Sequence, residues 1–510
     1  MKMSVKGRDW SRHLWALGAG VLLFLSFPKF GTGFLAWVAL VPLFMAVSGQ
    51  AAKKAFGWGF LSGLIAHLGI LYWIAYVVVK YGNLPWPVGI GALLLLACYM
   101  GLYTAIFASG VAYAESNRLP LMCFAPTLWT SLEYIKTHAF TGFPWALLGY
   151  SQFKFPFLLQ ISDITGVYGI SFLIVLVNAF FYEFFFTRRR QVWRVACVVL
   201  LLAIVSAYGV YRMNEIEKRW SLGEELKVAV VQGNVDQSVK WNPAYQHATM
   251  ADYLSLTEKV AREETRLVVW PETATPFFYQ DPSPYKDLIG ELVKRKKVWL
   301  LFGSPSYRRE KDDRITIFNS VYLLNQQGVV QGRYDKVHLV PYGEYVPLRS
   351  LFPFIGKLVQ GIGDFGTGPG YIPLEMGEAK VGVLICYEAI FPAAARTYAK
   401  MGANLLVNVT NDAWFGRTSA PYQHLSMAIL RAVENKTYLV RAANTGISAI
   451  IDPLGRLEQE TQLFEPATIS GPVKLTREST FYGRQGDIFS FGCLGFAFLG
   501  ILNFWRRKGK

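Results

Sequence analysis

Long uninterrupted apolar stretches crowd the first 211 residues and recur once near the end, whereas the segment between them alternates short apolar runs with polar ones. About 20 apolar residues suffice to cross the hydrocarbon of a bilayer. On that measure, spans are predicted over about 13–28, 33–49, 56–79, 87–114, 119–135, 164–186 and 193–211, with a last one over 488–505. Between 226 and 473 the pattern changes. Short runs at 227–231, 266–270, 298–302, 381–385, 405–408 and 447–451 are continuously apolar, which predicts strands buried on both faces. Helical periodicity occupies 244–262, 285–296 and 421–436. Strands alternating with helices predict a layered α/β domain. The expected organisation is a transmembrane domain of about seven helices over 1–211, an α/β domain over 220–484 and a C-terminal transmembrane helix over 488–505.

Composition strengthens the membrane reading. Of 510 residues, 53% are hydrophobic and 15% aromatic, above the roughly 45–50% apolar share of soluble proteins. The formal charge of +16 raises the question of a nucleic-acid partner, but residues 212–484 hold 32 Lys and Arg against 29 Asp and Glu. No basic stripe with interleaved aromatics is evident there, so nucleic acid is excluded as a partner. Loops expected on one side of the membrane carry Lys2, Lys6, Arg8, Arg12, Lys53, Lys54, Arg118, Arg188, Arg189, Arg190, Arg194, Arg506, Arg507, Lys508 and Lys510. The opposite short loops carry Lys29, Lys80, Lys136 and Lys154. Because positive loops stay cytoplasmic, both termini are predicted in the cytoplasm and residues 212–487 on the far side. Counting 139–161 as a further span would export Arg188 to Arg194. The stretch 137–163, with Gly142, Pro144 and Pro156, is therefore read as a lipid-contacting loop or re-entrant piece on the side of the α/β domain. The first span is followed by Ser26-Phe-Pro-Lys-Phe30 without a small-x-small cleavage site, and is expected to be retained. Glu133 and Glu183 lie near span ends; neither mid-span charges nor repeated halves, the marks of a transporter, are evident.

Chemistry-bearing residues gather just past strand ends, where layered α/β sheets place their sites. They are Pro271-Glu272, Asp335-Lys336-Val-His338 and Cys386-Tyr387-Glu388. Cys386 is the only cysteine between 212 and 484, since Cys98, Cys123, Cys197 and Cys493 fall in the predicted spans. It cannot be half of an internal disulfide there, so it is either a core filler or a reagent. A thiol is a poor nucleophile until it loses its proton. Glu272 is a candidate base, Lys336 a candidate cation for the thiolate and for the oxyanion formed on attack, and Glu344 a candidate to orient Lys336 or the substrate. Each also has a plainer role: Cys386 as packing, Glu272 as a turn cap after Trp-Pro, Lys336 as a surface lysine. His338 and His424 are rival partners for a Cys-His pair. Residue types and order alone leave the Glu-Lys-Cys and Cys-His readings both open.

Three motifs in sequence change that balance. Trp270-Pro-Glu272, Tyr334-Asp-Lys-Val-His-Leu-Val-Pro-Tyr-Gly-Glu344 and Leu384-Ile-Cys386-Tyr-Glu388 resemble the Glu-Lys-Cys signature of the nitrilase superfamily. With seven apolar segments before it and one after, the whole chain resembles the bacterial apolipoprotein N-acyltransferases, a membrane-embedded branch; Trp241 in Lys-Trp-Asn-Pro and Asn411-Asp-Ala-Trp-Phe-Gly416 match as well. The resemblance implies a four-layer α-β-β-α sandwich over 220–484, with Glu272 as general base, Lys336 as oxyanion stabiliser and Cys386 as nucleophile. It implies that Glu344 and Glu388 support the site and that Tyr387 and Trp241 line it. It further implies a monomeric inner-membrane enzyme that takes the sn-1 acyl chain of a phospholipid such as phosphatidylethanolamine onto Cys386. The chain would then pass to the α-amino group of the lipid-modified N-terminal cysteine of an apolipoprotein. The scheme is chemically coherent: a thioester can acylate an amine, and a covalent intermediate lets two bulky lipids use one site in turn, with ping-pong kinetics.

The stretch 351–362 is too apolar for a solvated loop; it is expected either as a membrane-dipping lid gating lipid entry or as an ordinary buried helix. Phe277-Phe-Tyr279 and Trp414-Phe415 are expected to extend the same greasy rim. No metal or nucleotide cofactor is expected, because His247, His338 and His424 lack zinc-ligand spacing and no glycine-rich phosphate loop follows a strand. The glycine-dense run 361–370 reads as a flexible loop. Two rival functions stay open: a membrane-tethered amidase or nitrilase cleaving a small C–N bond, and a non-catalytic lipid-binding sensor in which Cys386 is packing. The multi-span anchor and the apolar stretch weigh against the amidase.

Overall fold

The computed structural model describes residues 5–187, 192–221, 223–311, 313–346, 365–476 and 478–508, so the stretch expected as a lid lies outside the described residues. The chain divides into two compact units. Met1–Tyr76, Pro85–Met213 and Gln485–Lys510 make up one; Val77–Leu84 and Asn214–Arg484 make up the other.

The first unit is helical. Among the described residues, four helices are long and apolar enough to cross a membrane: Ala52–Leu71, Trp86–Ser116, Val167–Phe186 and Val192–Trp220. The apolar pattern led us to expect eight crossings, and two of the other stretches are not plain long apolar helices. Helix Leu121–His138 runs 18 residues through Pro126 but is diluted by Thr127, Thr130, Ser131, Glu133, Lys136 and His138. The stretch 33–49 is broken into a 3-10 turn, Gly33–Trp37, and a seven-residue helix, Val41–Val47, with Pro42 in its first turn. Pro lacks the N–H that a continuous helix would use. A break inside an apolar unit leaves backbone groups without partners, at several kcal/mol each in hydrocarbon. Buried Asn178 supplies them, accepting from the Leu40 N–H at 2.8 Å and donating to the Ala36 carbonyl at 2.8 Å.

The same logic governs 137–163, which contains no long helix but a 3-10 turn, Leu148–Gln152, and two single turns, Pro156–Leu159 and Ser162–Thr165. Its irregular backbone leans on side chains. Glu133 accepts from Leu148 N–H at 2.7 Å, Ser171 from Gly149 N–H at 2.8 Å, and Gln152 donates to the Gly33 carbonyl at 2.8 Å. Glu133 is thus a hydrogen-bond post for this stretch. Large apolar side chains such as Leu95, Val199, Leu200, Phe498 and Leu499 remain exposed on the helices, which suits a hydrocarbon solvent.

Among the described residues, the second unit holds twelve strands: β1 (Glu224–Gln232), β2 (Leu267–Val269), β3 (Trp299–Arg309), β4 (Ile315–Leu324), β5 (Val330–Asp335), β6 (Leu374–Met376), β7 (Ala379–Ile385), β8 (Leu405–Thr410), β9 (Leu439–Ala443), β10 (Ala449–Ile451), β11 (Leu457–Glu460) and β12 (Ala467–Leu475). They form two six-stranded sheets, β12-β1-β2-β3-β4-β5 and β6-β7-β8-β9-β10-β11. Each has the same plan. Three parallel strands (β1, β2, β3; β7, β8, β9) lie between antiparallel neighbours.

The central strands are apolar throughout because both faces are covered. Helices Pro243–Val260 and Pro284–Lys296 bury Met250, Tyr253, Ile289 and Val293 against Val268, Trp270, Leu300 and Phe302 of the first sheet. Each such side chain contributes about 1.5–3 kcal/mol on full burial. Both helices start as their sequences dictate, on Asn242-Pro and Ser283-Pro, the cap side chain accepting from the N–H two residues on. Helices Pro392–Lys400 and Ala420–Asn435 cover the other sheet at β7 and β9, and the two sheets meet where β1 faces β9 and β4 faces β7. The result is an α-β-β-α sandwich.

Candidate active site

Three strand ends converge on one buried group of side chains. Cys386 follows β7 directly and opens a 3-10 turn, Cys386–Ile390, with a backbone φ of 50°. Its thiol is free and buried. Glu272 comes three residues past β2 and Lys336 one past β5; they are 6% and 1% exposed. Lys336 Nζ lies 2.9 Å from Glu344 Oε1 and 3.9 Å from Glu272 Oε1. Asn319 of β4 sits between the two carboxylates, its Nδ2 donating to Glu272 Oε1 at 2.7 Å and to Glu344 Oε1 at 3.0 Å. The other oxygens are held by backbone: Asn411 N–H donates to Glu272 Oε2 and Val340 N–H to Glu344 Oε2, both at 2.8 Å.

This arrangement sets the charges. Burial alone would lower the Lys336 ammonium, but Glu344 and Glu272 outweigh it and hold the group above the usual lysine range. Burial pushes the Cys386 thiol up, Glu272 adds to that, and Lys336 opposes it. At rest the site therefore holds a protonated thiol, a full cation and carboxylates within reach. Such a thiol needs its proton removed for attack, and Glu272 and Lys336 act on it electrostatically in opposite senses. Among the described residues, no group of three or more His, Cys, Asp and Glu is arranged to hold a metal ion.

Glu388 is fully buried and braces the turn that carries the thiol. Its Oε1 accepts from Tyr334 Oη at 2.8 Å and from the Val337 and His338 N–H groups at 2.8 and 3.0 Å, and its Oε2 from Ile385 N–H at 2.7 Å. Burial nevertheless pushes this carboxyl from 4.5 up to about 7. A raised folded-state value means the folded protein binds the proton more tightly than the unfolded chain, so this group's contribution is present below pH 4.5 and lost as pH rises to about 7. The loss is ~3 kcal/mol across that window. Thermal unfolding from pH 4.5 to 8 should show wild type losing stability relative to Glu388→Gln, which does not titrate; parallel curves would refute the assignment.

The remaining sequence candidates separate clearly. Tyr387 is buried beside His338 and Phe391, at ring separations of 5.8 and 5.2 Å. His338 stacks on Phe391 at 3.8 Å. His424 turns its Nε2 to the Cys386 carbonyl, at 3.1 Å, and its Nδ1 toward Asp412. Trp241 is 37% exposed and lines an open pocket of roughly 540 Å³ with Gln246, Pro276, Phe277 and Phe278. Tyr279 departs from the rim expected of it: it is buried in the core against Phe302 and Tyr322. Trp414 packs its ring on Tyr81 of Val77–Leu84, whose hydroxyl donates to the Ala413 carbonyl at 2.7 Å. The described end of the glycine-dense run is pinned, Gly366 N–H donating to the Ile317 carbonyl and Gly368 N–H to the Lys336 carbonyl at 2.8 Å. A Cβ at Gly368 would fall 2.0 Å from the Asp335 carbonyl oxygen, so only glycine permits this approach to the lysine strand.

Two contributors were not singled out by the sequence. Asn319 sits in Ile-Phe-Asn-Ser-Val, and a polar residue at a buried strand position was the available signal. Lys240, next to Trp241, is 1% exposed and donates to Thr273 Oγ1 at 2.6 Å and to the Glu272 carbonyl at 3.3 Å. Burial lowers its ammonium to about 8.

Residues 227–480 match the carbon-nitrogen hydrolase family, and residues 19–180 match the apolipoprotein N-acyltransferase N-terminal domain. The apolipoprotein N-acyltransferase of Geobacter metallireducens is 47% identical over 505 residues, covering 97% of this chain and 96% of the relative. Those of Gloeobacter violaceus and Methylococcus capsulatus are each 33% identical, over 96% and 97% of this chain and 93% and 96% of their own lengths. Because the likeness runs through the helical unit as well as the α/β unit, a carbon-nitrogen hydrolase domain alone does not account for it: the chain belongs to the apolipoprotein N-acyltransferase family.

Proposed function

We propose that Cys386 carries a fatty acyl chain, as a thioester, from a phospholipid to the α-amino group of the lipid-modified N-terminal cysteine of an apolipoprotein. In the first half-reaction Glu272 takes the thiol proton as sulfur attacks the ester carbonyl, and Lys336 meets the oxyanion. Collapse of that intermediate breaks the ester C–O bond, and the departing lysophospholipid oxygen takes the proton from Glu272. In the second, the neutral amine attacks the thioester, Glu272 takes its proton, and the amide forms as the thiolate leaves and is reprotonated. Glu344 holds Lys336, Glu388 braces the turn, and Tyr387 and Trp241 line the path of the substrates.

The observation that carries this reading is the meeting of a buried thiol with Glu272, Lys336 and Glu344 in a chain of this family. Its finer parts rest on sequence. Charge asymmetry of the loops supports both termini in the cytoplasm and residues 212–487 across the inner membrane, with the eight apolar stretches as crossings. We take 1–211, 220–484 and 488–505 as the functional divisions, phosphatidylethanolamine as donor and a monomer as the working unit.

The test is direct. Protein reconstituted with phosphatidylethanolamine should gain the mass of one acyl group, on the peptide bearing Cys386 and released by neutral hydroxylamine. Adding a peptide with a diacylglyceryl-modified N-terminal cysteine should discharge it into an amide. Absence of the adduct would favour a lipid-binding sensor, and ammonia released from small amides without it an amidase.

A further inference from the structure

We infer that His424 is a positioning residue for the nucleophile: by holding the Cys386 carbonyl it fixes the strained turn that presents the thiol. With φ at 50°, Cys386 occupies the left-handed region, about 1–2 kcal/mol uphill for an L-residue. Such strain persists where the surroundings over-determine it. Here they act on both sides of the residue. Upstream, Ile385 N–H is held by Glu388 Oε2 at 2.7 Å. Downstream, the Cys386 carbonyl accepts from His424 Nε2 at 3.1 Å. Since the peptide unit is planar, fixing that oxygen fixes the Cys386–Tyr387 plane, and with it the direction in which the residue presents its sulfur.

His424 is itself held. It lies in helix Ala420–Asn435, 1% exposed, with Nδ1 3.0 Å from Asp412 Oδ1 and 3.1 Å from Arg441 Nη2. Asp412 and Arg441 are fully buried and paired at 2.7 Å. Arg441 also donates to the Ile447 carbonyl at 3.1 Å and to Asn408 Oδ1; Asn408 Nδ2 in turn donates to the Leu384 carbonyl of β7 at 2.8 Å. The chain of contacts leaves β7 at Leu384 and returns to its end at Cys386, a closed brace around the nucleophile. Even the facing loop accommodates it: a Cβ at Gly446 would lie 2.4 Å from Asp412 Oδ2. Burial and the Arg441 guanidinium keep the imidazole below its ordinary range and therefore neutral. Nε2 faces the Cys386 carbonyl oxygen, which can only accept, so that nitrogen is the donor to it, while Nδ1 stands between Asp412 Oδ1 and Arg441 Nη2. A ring so engaged orients the thiol, and proton acceptance falls to Glu272.

The inference rests on Cys386 being the acyl carrier, and the experiment separates the two. Full-length wild type, His424→Gln and His424→Leu are reconstituted with phosphatidylethanolamine; acyl-enzyme formation is followed by intact mass, with melting temperature and KM for the phospholipid alongside. Misplacing a reacting atom by about 1 Å costs about a hundredfold. His424→Leu should therefore acylate about a hundredfold slower with KM within about twofold of wild type. His424→Gln, whose terminal N–H can reach the same carbonyl, should recover to within about tenfold. Acylation of the leucine variant at the wild-type rate overturns the inference, as does a glutamine variant as slow as leucine with both melting like wild type. Should the leucine variant not fold, the glutamine variant decides alone: a shift in its KM or a loss beyond about a hundredfold overturns the inference. Wild type that takes no acyl group overturns the proposed function itself.

Discussion

Glu272→Gln is expected to slow both acyl-enzyme formation and its discharge by about a thousandfold or more, at the upper end of what a general base contributes. The thiol is the reason. Burial and the neighbouring carboxylate hold Cys386 protonated, so no standing thiolate exists to sustain the reaction without a proton acceptor. Glutamine keeps the shape of Glu272 but accepts no proton, and its amide N–H₂ must face one of the two donors now on the carboxylate, Asn319 Nδ2 or Asn411 N–H. One of these contacts becomes donor against donor. The substitution also has a signature opposite in sign. Removing the Glu272 charge leaves Lys336 to favour the thiolate, so the thiol falls from its raised position. The residual activity of the variant should climb with pH more steeply than wild type, and Cys386 should react faster with iodoacetamide. Single-turnover acylation measured by intact mass from pH 6 to 9, with alkylation in parallel, checks both. Acylation within tenfold of wild type would remove Glu272 from the role of base.

How much of this was legible in the sequence depends on what each residue contributes. Cys386 stands immediately after apolar β7 and Glu272 three residues past apolar β2, a pattern that one-dimensional reading detects, whereas Lys336 follows β5, whose Val-Gln-Gly-Arg-Tyr-Asp is mostly polar. Orientation is not such a pattern. His424 was as good a partner for Cys386 as Glu272 by residue type, and only the direction of its Nε2 toward a backbone carbonyl separates holding the nucleophile from deprotonating it. Asn319 was hidden for a related reason: inside β4 it reads as one polar interruption, and its value comes from carboxylates 47 and 25 residues away. Trp241 was singled out while its neighbour Lys240 was not, yet it is Lys240 that reaches the Glu272 backbone. In the helical unit, hydropathy adds apolar residues over a window and is blind to Pro42 and to the asparagine that completes the break from 138 residues away.

Lys336→Met carries the other large effect, and it tests whether the lysine does chemistry or only balances charge. The ammonium is 1% exposed and held above its usual range by Glu344 and Glu272, so it stays charged, and its contribution to stability is constant, at every pH below the ordinary lysine value. Methionine fills similar space but leaves buried Glu272 and half-buried Glu344, joined through Asn319, without the cation that touches both. Breaking a buried pair from one side costs about 3–5 kcal/mol, and two like charges left close together repel. The single variant should therefore melt well below wild type. Its acylation rate should fall by more than the about 10²–10³ that one oxyanion donor supplies, because the base is impaired at the same time. Adding Glu344→Gln separates the effects. The double variant removes the like-charge conflict, so its melting temperature should return toward wild type while acyl transfer stays lost, since nothing then faces the developing oxyanion. A double variant that regains both stability and turnover would make Lys336 a counter-ion alone and leave the oxyanion to another donor.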